Sequence, residues 1–82
     1  MKLPVIKQIQ RTSSIEEIET TIKVLESTSE AASLKDHELD IIGELISNLC
    51  GAVEVKQLIN DGFSEKDALN SFMKKVISSI DA

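Results

Sequence analysis

Apolar residues along this chain recur at three- and four-residue intervals, the period of a helix, and strict alternation over five or more residues is hard to find. Pro4 suits the first turn of a helix, where its missing N–H leaves no bond unmade, and Ile6 and Ile9 then share one side of a short segment ending near Arg11. Thr12-Ser13-Ser14 is a cluster of capping residues, and Ser13 with Glu16, or Ser14 with Glu17, makes a capping box that starts a second helix. Ile15, Ile18, Ile22 and Leu25 form a narrow stripe on it and predict an outer helix. From Ser27 to Lys35 small and hydroxylated residues break the stripe, which predicts a linker too short to separate domains.

A third helix is predicted over about 36–60, with Asp36, Glu38 and Asp40 near its positive end and Gly62 placed as the left-handed residue beyond its C-terminus. Ser64 followed by Glu65 and Asp67 predicts the start of a fourth helix over about 65–80, with Phe63 set to staple against Ala68 or Leu69. Leu69, Phe72, Met73, Val76, Ile77 and Ile80 share one face of it. The connection between helices three and four allows only an antiparallel hairpin. The expected fold is all-α: one domain over residues 1–82, a small four-helix bundle with a long central helix paired with the C-terminal one.

The third helix carries two apolar seams. Leu39, Ile42, Ile46, Leu49 and Val53 follow a 3-4-3-4 spacing and are expected to serve the intrachain core. Ile41, Leu45, Ala52, Val55 and Ile59 run alongside, with Leu58 still further round and Asn48 next to them. At about 1.5 Å per residue this two-sided helix is roughly 36 Å long, more than two outer helices and one short helix cover easily. A twofold homodimer would bury the second seam against its symmetry mate, so Ile41, Leu45, Ala52, Val55, Leu58 and Ile59 are the proposed interface and Asn48 could fix register. The alternative is a compact monomer in which the first helix and the linker wrap that seam.

Composition narrows the function classes. The chain has 82 residues, one Cys, one His and a net charge of −5. Its bases are scattered among acids and aromatics are nearly absent, so neither a phosphate backbone nor unstacked bases have a site, and no nucleic-acid partner is expected. No apolar run approaches a membrane span and no signal-peptide core forms, so no membrane partner is expected either; these features and the unpaired Cys50 point to a cytoplasmic protein.

Candidate chemistry is sparse. His37, Asp40 and Glu44 project from one side of the third helix and could ligate a divalent metal, although a solvated polar face explains them as well. Cys50 is expected to be a buried thiol behaving as a small hydrophobe. The serines have no histidine partner, so no catalytic residue and no resident cofactor is expected. Ser33-Leu34 followed by Glu38-Leu39 looks like the attachment region of acyl carrier proteins, a resemblance that would put phosphopantetheine on Ser33. The aspartate and glycine of that motif are missing before Ser33, and the third helix runs on past the point where a carrier helix stops.

Met1-Lys2-Leu3-Pro4-Val5-Ile6, Glu38-Leu39-Asp40-Ile41-Ile42-Gly43-Glu44-Leu45-Ile46 and Gly62-Phe63-Ser64-Glu65-Lys66-Asp67-Ala68-Leu69-Asn70 together resemble a small uncharacterised bacterial all-helical family of about 80 residues, a domain of unknown function. The resemblance spans the whole chain and carries no activity; at most it implies a role accessory to redox proteins. The expectation is therefore a non-enzymatic helical domain for protein–protein interaction, a homodimer with an unidentified protein partner. An acyl-carrier-like protein modified at Ser33 and a small metal-binding regulator using His37 are the alternatives.

Overall fold

The structure is a computed structural model; it describes residues 2–81, with side-chain surroundings described through Ser78. Four α-helices follow in chain order, α1 (Leu3–Thr12), α2 (Ile15–Thr28), α3 (Asp36–Asn60) and α4 (Glu65–Asp81), and among the described residues there is no strand. Their ends follow the local chemistry of the sequence. Pro4 lies in the first turn of α1. Of the two possible capping boxes the chain forms the one at Ser14, whose hydroxyl accepts the Glu17 N–H at 3.1 Å while the Glu17 carboxylate accepts the Ser14 N–H at 2.9 Å. That bonding favours the ionised acid and lowers the Glu17 pKa, chiefly through the Ser14 backbone N–H.

The α3–α4 corner is built from backbone bonds. Gly62 takes φ +111°, and the N–H groups of Gly62 and Phe63 donate to Ile59 and Leu58 at 3.0 Å each, which closes α3 in a Schellman turn. Ser64 then caps α4, its hydroxyl accepting the Asp67 N–H at 3.1 Å. Phe63 remains 44% exposed.

The other three helices pack on α3. α1 runs parallel to it: the Lys2 amide meets Asn48, Ile6 meets Gly51 and the Gln10 carbonyl meets Lys56. α2 starts beside that end, where Glu17 feels the charge of Lys56, and runs back so that the linker can reach Asp36. α4 folds back along another side, with Phe72 on Gly51. A Cβ on Gly51 would stand 2.9 Å from Phe72 Cζ and 3.0 Å from Ile6 Cδ1, so the missing side chain is what lets α1 and α4 approach α3 together.

Every helix contributes to the core: Ile6 from α1, Ile18 from α2, Leu49, Ala52 and Val55 from α3, Ala68 and Phe72 from α4. Ile22 and Leu25 of the α2 stripe and Leu69, Met73 and Val76 of the α4 stripe pack around it. Ile77 departs from the expected α4 face and is 53% exposed, because α4 has left the core by then; the Ile80 side chain lies outside the described residues.

Opposite charges join the short helix to the hairpin. Arg11 Nε and Nη2 each donate to a different oxygen of Glu65 at 2.7 Å, and the buried Gln10 side chain donates to the same carboxylate. The Arg11 hydrogen bond is the largest influence holding the Glu65 carboxyl below the usual carboxylate range, with the nearby charges of Arg11 and Lys7 acting in the same direction. Lys56 Nζ donates to the Gln10 carbonyl at 2.9 Å, satisfying one of the last carbonyls of α1. Lys75 pairs with Glu54 across the α3–α4 hairpin.

Candidate interaction surface

The two seams of α3 do not divide as their spacing suggests. Ala52 and Val55, assigned to an intermolecular face, are completely buried in the chain's own core, and Leu58 and Ile59 pack against that core. Leu39 of the supposed core seam is 37% exposed, and Ile42 and Ile46 are only half-buried. The dividing line runs across the helix instead of along it. All the buried residues of α3 lie between Asn48 and Val55, and none precedes Asn48.

The physical cause is length. α1 has 10 residues against 25 in α3, about 15 Å against about 37 Å, and its first turn is anchored at Asn48. The part of the second seam that continues beyond that anchor therefore emerges from cover, with Ile41 54% and Leu45 43% exposed. Leu3, at the start of α1, is 36% exposed. Asn48, expected to set register between copies, is only 3% exposed; its Oδ1 accepts the Lys2 N–H at 2.9 Å and its Nδ2 donates to the Glu44 carbonyl at 3.1 Å.

The chain as a whole exposes more surface than its mass predicts. A folded monomer of 9.0 kDa is expected to expose about 4,850 Å². This chain exposes 5643 Å², an excess of about 800 Å². Its radius of gyration is 13.7 Å, where a compact domain of this length has about 12 Å. Its smallest dimension is only 18 Å, little more than one layer of helices on another.

The chemical candidates are dispersed. Cys50 is exposed, not buried, because α1 and α4 meet over the neighbouring Gly51 and leave the next position on the helix outside. It borders an open groove of about 320 Å³ between α3 and α4, together with Ile46, Ser47, Glu54, Phe72 and Val76. His37, Asp40 and Glu44 are all exposed, and among the described residues no three His, Cys, Asp or Glu side chains are grouped to hold a metal. Ser33 is exposed in the linker; the residue that precedes the first turn of α3 is Lys35, whose N–H donates to the Glu38 carboxylate at 3.0 Å. A phosphate on Ser33 would thus sit outside that turn. Among the described residues no helix is long and apolar enough to cross a membrane.

No curated protein and no solved structure matches the chain. A family model does match, over residues 1–81, and agrees with the family-wide resemblance of the sequence. The chain belongs to this family of unknown function, DUF6952.

Proposed function

We propose that this chain is a non-enzymatic helical protein–protein interaction domain that works in the cytoplasm as a homodimer and docks through the uncovered N-terminal half of α3. The observation that carries the reading is that Ile41 and Leu45, on the apolar seam of α3 beyond the start of α1, are 54% and 43% exposed. Ile41 and Leu45, four residues apart on one side of α3, supply its apolar centre. A role accessory to redox proteins is the cellular setting the family resemblance suggests, and co-purification from the native host is its test.

Sedimentation equilibrium at micromolar concentration tests the dimer. The expected mass is twice that of the chain, and Ile41→Glu or Leu45→Glu weakens association at least about tenfold while leaving the helical signal intact, since an ionised carboxylate resists transfer out of water. Val55→Glu is the contrasting variant; it places the charge in the core and unfolds the chain. A wild-type monomer, or Glu variants that dimerise as the parent does, defeats the reading.

A further inference from the structure

We infer that α1 is a strap that lifts from α3 reversibly and as a unit, hinged at Ser13 and Ser14, and that lifting joins Ile41 and Leu45 to the apolar seam beneath it. The inference goes beyond the homodimer reading and holds for a monomer or a dimer.

The way α1 is held sets it apart. Among the described residues, every hydrogen bond that a side chain makes from one helix to another involves α1 or its cap residue Lys2, save Lys75 to Glu54. Gln10 and Asn48, the buried polar side chains among the described residues, stand at the two ends of this same joint. The other helices are held by apolar side chains, Ile18, Ile22 and Leu25 from α2 and Ala68, Phe72 and Val76 from α4. From α1 the core takes Ile6, with Ile9 packed against it. Hydrogen bonds exchange for bonds to water when two surfaces part, whereas the gain from buried apolar area is lost outright. Arg11 is exposed besides, so solvent screens its pair with Glu65. Of the three helices packed on α3, α1 is therefore the one whose removal costs least.

The connection lets it leave. Ser13 and Ser14 both have extended backbone and lie outside either helix. A turn at these two residues swings α1 away without disturbing α2, because the Ser14–Glu17 capping box is closed within the start of α2 itself. Ten residues are too few for a helix that stands alone in water, so α1 unwinds when it leaves α3. Lifting and unwinding are thus one event.

The face it uncovers follows from where it touches. α1 meets α3 at Asn48, Gly51 and Lys56. At about 100° per residue, Ala52 and Val55 fall between these three positions both around and along the helix, and Ile41 and Leu45 lie in the same sector one to two turns before Asn48. With α1 in place the open seam is Ile41 and Leu45; with α1 lifted it runs from Ile41 to Val55, about 21 Å.

Native-state amide exchange in low urea tests the strap on the full chain, with the mass measured alongside. Residues 7–12 should share one opening equilibrium, at least about tenfold more populated than that of residues 48–55, with a small urea slope set by the area that one helix uncovers. Glu65→Gln removes the charge that Arg11 grips and should speed exchange in α1 about threefold, leaving residues 48–55 as in the parent. Residues 7–12 that exchange with the rate and full slope of α3 would make α1 part of one cooperative unit and overturn the inference. Zero slope, with rates graded from the N-terminus, would mean fraying and overturn it too. Equal acceleration of α1 and α3 by Glu65→Gln, or none in either, would remove the polar clasp and the inference with it. A monomeric mass defeats the homodimer alone and leaves the strap standing.

Discussion

Asn48 Oδ1 accepts the backbone N–H of Lys2 at 2.9 Å across 46 residues of sequence, and this one bond marks where α1 begins to cover α3. The amide also donates to the Glu44 carbonyl in its own helix, so a buried polar side chain is tied at both ends. Asn48→Ala removes both ties and leaves the N–H of the exposed Lys2 to water. It is expected to cost about 1–3 kcal/mol in urea unfolding, with amide exchange accelerating first in α1. An unchanged midpoint would mean that α1 does not depend on this anchor.

The glycines of α3 give a test with opposite signs. Gly43 has open space where a side chain would go, so Gly43→Ala gains about 1 kcal/mol from helix propensity alone. Gly51→Ala gains the same backbone term but drives a methyl into Phe72 and Ile6, an overpacking cost of about 1–3 kcal/mol. Thermal unfolding should rank Gly43→Ala above the parent and Gly51→Ala below it. A stabilised Gly51→Ala would mean that α1 and α4 yield readily.

Glu17 and Glu65 both have lowered pKa values in the folded chain, Glu17 through Ser14 and Glu65 through Arg11. A depressed carboxylate binds its proton more readily in the unfolded chain. Its stabilisation is therefore fully present above the unfolded value, near 4.5, and is lost as pH falls through the lower folded value. Denaturation midpoints should be flat near neutrality and fall on acidification below about pH 4.5, and Glu65→Gln should flatten that fall. A Glu65→Gln variant as acid-sensitive as the parent would remove Glu65 from the account.

Ionic strength probes the dimer from another direction. Between Lys35 and Lys56 the chain has five acids and no Lys or Arg, and Asp36, Asp40 and Glu44 among those acids are exposed. A twofold contact through this half of α3 brings the acidic flank close to its own copy, a repulsion that salt screens. Raising salt from about 0.01 M to 0.1 M shortens the screening length from about 30 Å to about 10 Å and should tighten association severalfold. Asp40→Asn with Glu44→Gln should tighten it at low salt and blunt the salt response. Association that weakens steadily with salt would instead indicate net attraction between opposite charges.

Much of the fold was legible because its signals are local. Pro4, the Ser14–Glu17 box, Gly62 and Ser64 act within a few residues of themselves, and each stands at a helix end as expected. The stripes on α2 and α4 also pack inward up to Ile77, since a face that packs is a property of one helix. The interaction surface was only half legible. Ile41 and Leu45 remain open, while Ala52 and Val55, on the same seam, are core, and Cys50 and Asn48 exchange the environments expected of a thiol and an amide.

The sequence by itself determined four helices, their limits and which sides of α3 are apolar, because helical period and capping are fixed by neighbours in the chain. Tertiary structure alone decided where cover stops. Periodicity gives the direction of a side chain around the helix axis and says nothing about how far a neighbouring helix reaches along it. That reach was set by the bond from Lys2 to Asn48 and the close approach at Gly51, contacts between residues more than forty apart. They place ten residues of α1 against the C-terminal half of a 25-residue helix and leave Ile41 and Leu45 open beyond it.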